Sequence, residues 1–128
     1  MIKIGVCGFG TVGQSFVNHV LTYKDKIIKN CGRDICISVI ADRSIERKKF
    51  EAESIEFTSD ILSVLDSDCD LVVELIGGTD LAYDLVRGAI SKKKSVITAN
   101  KALIAEKGDD LFGLSNKQNS YIGYEASV

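Results

Sequence analysis

Residues 2–13 read IKIGVCGFGTVG. The first half, IKIGVC, is a short apolar run of strand length; Gly8, Gly10 and Gly13 then fall at the spacing G-x-G-x-x-G. Beyond them Val12, Phe16, Val20 and Tyr23 recur at helical intervals, with Val17 and Leu21 widening the stripe. Strand, glycine turn and helix thus follow one another directly, and that context gives the glycines meaning. The first permits a tight turn. The second lets backbone approach a pyrophosphate, and the third lets the helix pack close to the strand. Gly8, Phe9, Gly10, Thr11, Val12 and Gly13 are therefore candidates for a dinucleotide phosphate site. The competing reading is a turn with no ligand.

The rest of the chain extends this unit. The spacing predicts a helix over 11–23, with KDKIIKNCGRD at 24–34 as its tail and a loop. ICISVIA at 35–41 reads as a second strand. Residues 44–57 are charged and without a clear period, apart from a short strand at IEF, 55–57. Thr58 or Ser59 is placed to cap a helix through about Asp66. Strands follow at DLVVELI (70–76) and SVITA (95–99), with a helix over 80–92 between them. Residues 100–118 read as helical with a break near Gly108, and SYIGYEA at 120–126 closes the chain as a strand. Continuous apolar strands alternating with helices predict a mostly parallel sheet covered on both faces. The fold class is α/β, Rossmann-type and doubly wound, in one domain over 1–128.

Bulk properties narrow the partners. The 128 residues are 45% hydrophobic and 27% charged, with a formal net charge of −2. Such a balance gives no reason to expect nucleic acid or an anionic membrane. The basic run Lys92-Lys93-Lys94 sits where a helix ends, and cations there suit the helix dipole. The four cysteines contain no C-x-x-C and His19 is the single histidine, a poor basis for structural zinc. Cys7 and Cys69 lie in or beside apolar strands and read as core residues. Nothing resembles a signal peptide, so a cytoplasmic setting with reduced thiols is the expectation.

In an open parallel sheet, ligands gather at the carboxyl ends of the strands. Asp42 ends the second strand, where a carboxylate accepts ribose hydroxyls and favours NAD. Arg43 beside it can instead hold a 2′-phosphate and favour NADP; the residues leave both open. Asp42 lies further from the glycine loop than the usual ~20 residues, and the polar 24–34 stretch accounts for the excess. Gly77-Gly78-Thr79 follows the strand at 70–76; Thr79 is placed to cap a helix or bond a cofactor. Glu74 sits inside an apolar strand and requires a partner. Asn100 and Lys101 follow the strand at 95–99, either as cofactor and substrate contacts or as a helix cap with an exposed lysine.

GFGTVG, DLVVELIGGT, VITANKALIA and the terminal YEASV occur in this order from end to end. Together they resemble homoserine dehydrogenase. The resemblance implies a nicotinamide-nucleotide oxidoreductase that interconverts L-homoserine and L-aspartate 4-semialdehyde with NAD or NADP. It implies that residues 9–13 bind the pyrophosphate and that Arg43 reads the 2′-phosphate. Thr79, Asn100 and Lys101 are implied near the nicotinamide, with Lys101 among the catalytic residues, and Gly78 is a further cofactor-binding candidate. Glu125 and the carbonyl of Val128 match part of a monovalent cation (Na+) site. The family's substrate domain is expected beyond Val128, so the chain is read as the nucleotide-binding part, binding cofactor without turnover. The full-length enzyme is expected to be a homo-oligomer. Two alternatives stand beside this: a nucleotide-sensing module, and the cofactor domain of another amino-acid or semialdehyde dehydrogenase.

Overall fold

The computed structural model describes residues 1–124. Its elements, in chain order, are β1 (Ile2–Cys7), α1 (Thr11–Thr22), α2 (Lys24–Cys31), β2 (Ile35–Ala41), β3 (Glu56–Thr58), β4 (Leu71–Glu74), α3 (Asp80–Ser91), β5 (Ser95–Thr98), α4 (Lys101–Gln118) and β6 (Ile122–Gly123). Short 3-10 turns occupy Ile45–Arg47 and Ile61–Asp66. The six strands form one sheet in the order β3-β2-β1-β4-β5-β6, with every neighbouring pair parallel. This is the doubly wound order, and its switch point lies between β1 and β4.

Alternation along the strands divides the core into two layers. On one face Cys7, Val72 and Val96 pack with Ala82, Leu85, Val86, Ala89 and Ile90 of α3 and with Leu103 and Leu111 of α4. On the other, Ile4, Val6 and Val73 pack with Val17 and Val20 of α1. Each fully buried Val, Leu or Ile contributes about 1.5–3 kcal/mol by leaving water. β2 changes faces part-way. Its register against β1 slips between Ile4 and Gly5, leaving Ser38 as an extra residue. Ile35 and Ile37 therefore face α1, whereas Val39 and Ala41 face α3.

Several boundaries differ from the sequence expectation. Residues 24–31 form a separate helix, α2, stopped by Gly32 at φ 73°. Its Ile27 and Ile28 pack on the α1-side layer, which is why the segment orders despite its polar composition. The helix expected from Thr58 or Ser59 is a 3-10 turn over Ile61–Asp66 without a side-chain cap; the Thr58 hydroxyl instead accepts the Asp60 N–H at 3.1 Å. α4 runs unbroken through Gly108, where an added Cβ would meet only ordinary contacts with Ile104 and Phe112. Asn119 ends it in the left-handed region at φ 57°. β6 is two residues long, and Glu125 and Val128 lie outside the described residues. Among the described residues no helix is long and apolar enough to cross a membrane.

Candidate functional site

The sheet register aligns the strand ends. Cys7 of β1 pairs with Ala41 of β2 and Glu74 of β4, and Glu74 pairs with Thr98 of β5. The loops after four strands therefore leave from one edge, and two cavities open there. The first, about 370 Å³, is lined by Gly8, Gly10, Asp42, Arg43, Lys48, Ile61, Leu75, Ile76, Gly77 and Leu81. The second, about 240 Å³, is lined by Val12, Glu74, Leu75, Gly77, Ala99, Asn100 and Lys101. Leu75 and Gly77 belong to both. The cavities are thus two halves of one crevice, divided by the loop after β4 and lying beside the start of α1.

The three glycines of the loop serve different ends. Gly8 takes φ +101°, and a Cβ on it would lie 2.6 Å from the Leu75 backbone. A Cβ on Gly13 would overlap the Gly8 carbonyl oxygen, so this glycine lets α1 approach β1. Gly10 is different. A Cβ there would meet nothing within 4 Å, so space stands open in front of the helix. Gly10 is also the N-cap of α1, where no side chain caps the helix and no acidic residue occupies the first turn. The first-turn N–H groups and the helix dipole are thereby left to an anion from outside. That combination fits a pyrophosphate.

Asp42 is only 9% exposed and turns its carboxylate onto this loop. Oδ2 accepts the Phe9 N–H at 2.7 Å, Oδ1 accepts the Ser44 N–H at 2.8 Å, and the Lys48 ammonium reaches both oxygens at 3.1 and 3.2 Å. Burial pushes the carboxyl pKa up, but the two N–H donors and Lys48 outweigh it and hold the pKa below the ordinary value. Gln14 completes the clamp by donating its side-chain amide to the Phe9 carbonyl at 2.9 Å.

Across the crevice, Asn100 is N-cap of α4: its Oδ1 accepts the Leu103 N–H at 3.0 Å. Its Nδ2 donates to the Gly78 carbonyl, tying β5's end to the loop after β4. Lys101 is exposed on the wall of the second cavity. Glu74 has the partners that its burial demands: the Thr98 hydroxyl at 2.6 Å and the Ile76 N–H at 2.9 Å.

The sequence model of the family described as homoserine dehydrogenase, NAD binding domain, matches residues 8–125. The chain belongs to the homoserine dehydrogenase family, as its NAD-binding domain. It is 39% identical over 128 residues to the homoserine dehydrogenase of Pseudomonas aeruginosa, covering 99% of this chain and 29% of that protein. The Neisseria gonorrhoeae homoserine dehydrogenase has the same identity and coverage. The crystal structure of a homoserine dehydrogenase from Thiobacillus denitrificans superposes with a TM-score of 0.91 at 34% identity, over 99% of this chain and 30% of that one. The chain thus spans under a third of the length of these relatives.

Within this homoserine dehydrogenase domain, Gly8, Gly10, Asp42 and Arg43 come together around the first cavity, and Val12, Asn100 and Lys101 around the second. Phe9, Thr11, Gly13, Gly78 and Thr79 line neither. The Phe9 ring is buried in the α1-side core, Gly13 lies beneath the Gly8 carbonyl, and Gly78 offers its carbonyl to Asn100. Thr79 precedes α3 without a side-chain cap bond. Lys48, Leu75, Ile76, Gly77, Ile61, Leu81 and Ala99 also line the site. Of these only Gly77 carried a usable signal, as the first glycine after an apolar strand. Lys48 lies in the charged stretch that has no period to read.

Proposed function

We propose that this domain holds NAD(P) across the two cavities, in an enzyme that interconverts L-homoserine and L-aspartate 4-semialdehyde. The observation that carries the reading is the uncapped α1 N-terminus behind an open Gly10, at the meeting of both cavities. The pyrophosphate is assigned to Gly10, Thr11, Val12 and the start of α1, with the adenosine half in the first cavity and the nicotinamide half in the second. Bound NAD(P)+ would supply the hydride acceptor for oxidation of homoserine's alcohol carbon to the aldehyde, with the hydroxyl proton released to water. Lys101 is assigned to the oxygens of ribose or substrate beside the nicotinamide. Glu125 and Val128 remain the proposed part of a Na+ site, and a homo-oligomer in the cytoplasm the proposed state of the whole enzyme.

NADP is the expected preference. The Asp42 oxygens already hold the Phe9 and Ser44 N–H groups and Lys48, and an ionised carboxylate has about four acceptor sites. Its charge is neutralised by Lys48, so little remains to repel a 2′-phosphate, and exposed Arg43 stands at the same rim. Hydride transfer requires both reactants in near-attack geometry, and the chain covers under a third of its relatives. It is therefore expected to bind without turnover. Titration with NADPH and NADH, followed by cofactor fluorescence, tests this. Saturable binding with NADPH tighter is expected, with the difference reduced by Arg43→Ala. Binding of neither nucleotide refutes the reading, and homoserine turnover by the purified chain refutes its inactivity.

A further inference from the structure

Among the described residues, Glu74 is the carboxylate with no exposed surface. Burying a charge is costly unless hydrogen bonds compensate, and the reading above gives this one no task. Its surroundings do. Glu74 ends β4, in register with Thr98 of β5. Oε2 accepts the Ile76 N–H at 2.9 Å and Oε1 accepts the Thr98 hydroxyl proton at 2.6 Å. Thr98 Oγ1 in turn accepts the Asn100 N–H at 3.0 Å. The Asn100 side chain then returns to the first loop by donating to the Gly78 carbonyl. The chain of bonds leaves the β4 loop at Ile76, crosses to the end of β5 and comes back at Gly78. The backbone it ties together carries Leu75, Gly77, Ala99, Asn100 and Lys101, which are walls of the second cavity.

We infer that Glu74 is a positioning residue for the nicotinamide half of the site: its carboxylate fixes the loop after β4 against the Asn100–Lys101 turn and so sets where Lys101 stands. The inference rests on the dinucleotide-binding reading. A carboxylate is needed because two donors, one from each segment, approach separate oxygens. An ionised carboxylate only accepts and serves both, whereas a carboxamide has one acceptor oxygen and sets its NH2 group against the other donor. The Thr98 oxygen has a second lone pair beside the one that Asn100 occupies, so it can meet that NH2 only by turning its own proton away, which leaves a buried O–H donor without the acceptor it has in the parent. A side chain kept for volume alone would be served equally well by glutamine.

The test compares ligands that fill one half or both. Glu74→Gln is made in this chain, with Thr98→Val as a second break in the same circuit. NADPH reports on both cavities, adenosine 2′,5′-bisphosphate on the adenosine side alone, and thermal melting on folding. Both variants are expected to lose about tenfold in NADPH affinity, the effect of one lost charge-assisted bond, while adenosine 2′,5′-bisphosphate binds as it does to the parent. Unchanged NADPH affinity, or an equal loss for both ligands, overturns the inference. If Glu74→Gln does not fold, Thr98→Val decides by the same comparison. A parent chain that fails to bind NADPH overturns the dinucleotide reading itself and this inference with it.

Discussion

Alanine at Gly10 and alanine at Gly13 should have opposite effects, although both replace glycines of one motif by one methyl. At Gly13 the new Cβ overlaps the Gly8 carbonyl oxygen and lies 3.0 Å from its carbonyl carbon. Both are backbone atoms, so relief requires α1 to move off β1. Overpacking of this kind costs about 1–3 kcal/mol, and a rigid backbone neighbour places it near the top of that range. Alanine's better helix propensity returns about 1 kcal/mol. The net loss is about 2 kcal/mol, or roughly 8 °C in Tm at ~4 °C per kcal/mol for a chain of this size. At Gly10 the Cβ meets no atom. Alanine is a poorer N-cap than glycine by roughly 0.5–1 kcal/mol, and a stiffer unfolded chain offsets this by about 0.4–1 kcal/mol. The expected Tm lies within about 2 °C of the parent. The same methyl, however, occupies the space assigned to the pyrophosphate, so NADPH affinity should fall by at least about tenfold, or ~1.4 kcal/mol. Calorimetric melting and a fluorescence titration on both variants are sufficient. A Gly10→Ala chain that binds NADPH like the parent, or a Gly13→Ala chain that melts like it, would refute the division of roles.

Three further outcomes follow from the same contacts. Asp42→Asn should cost about 1–3 kcal/mol at pH 7 by weakening the clamp on Phe9 and Ser44. The folded pKa of Asp42 is lowered, so the carboxylate's contribution is complete above its unfolded pKa of about 3.9 and disappears as pH falls through the folded value. Urea unfolding at stepped pH should show a constant gap between parent and variant down to about pH 4, closing below it; a gap that persists undiminished in acid would contradict the assignment. Asn100→Ala removes the α4 cap and the tie to Gly78, and should lower stability by about 1 kcal/mol or more; unchanged melting would count against it. Burial pushes the Cys7 thiol up and Cys69 is equally enclosed, whereas Cys31 is exposed. Mass mapping after native alkylation should find Cys31 labelled and Cys7 and Cys69 protected; labelling of Cys7 in folded protein would disprove the core packing.

The sequence is most readable where one residue property decides one structural choice. IKIGVC followed by three spaced glycines has a single economical reading, and β1, the turn and α1 form as that reading requires. DLVVELI and SVITA lie where expected, although β4 and β5 close at Glu74 and Thr98. Reading fails where tertiary contacts choose. Residues 24–31 carry only Ile27 and Ile28 as apolar anchors, and their helix forms because both reach the α1-side layer. Gly108 argued for a break from propensity alone, yet α4 continues through it. Asp42 is legible from its place at the end of β2, but its grip on Phe9 depends on a loop crossing from another strand. Lys48 gave no signal because its partner becomes its neighbour only through the 3-10 turn at Ile45–Arg47. Asn100 had two readings from spacing; its cap bond is present, and cofactor contact at this turn is proposed of Lys101 beside it.

In the proposed arrangement one dinucleotide lies across both cavities with its phosphates on the start of α1. A backbone-amide NMR titration of the 15N-labelled chain with NADPH tests it most directly. Saturable shifts are expected to cluster at Gly10, Thr11, Val12 and Gly13, at Gly77 and Gly78, and at Lys101, with the opposite sheet edge at Lys92–Lys94 unaffected. Shifts confined to that opposite edge, or no saturable change at the α1 N-terminus, would contradict it.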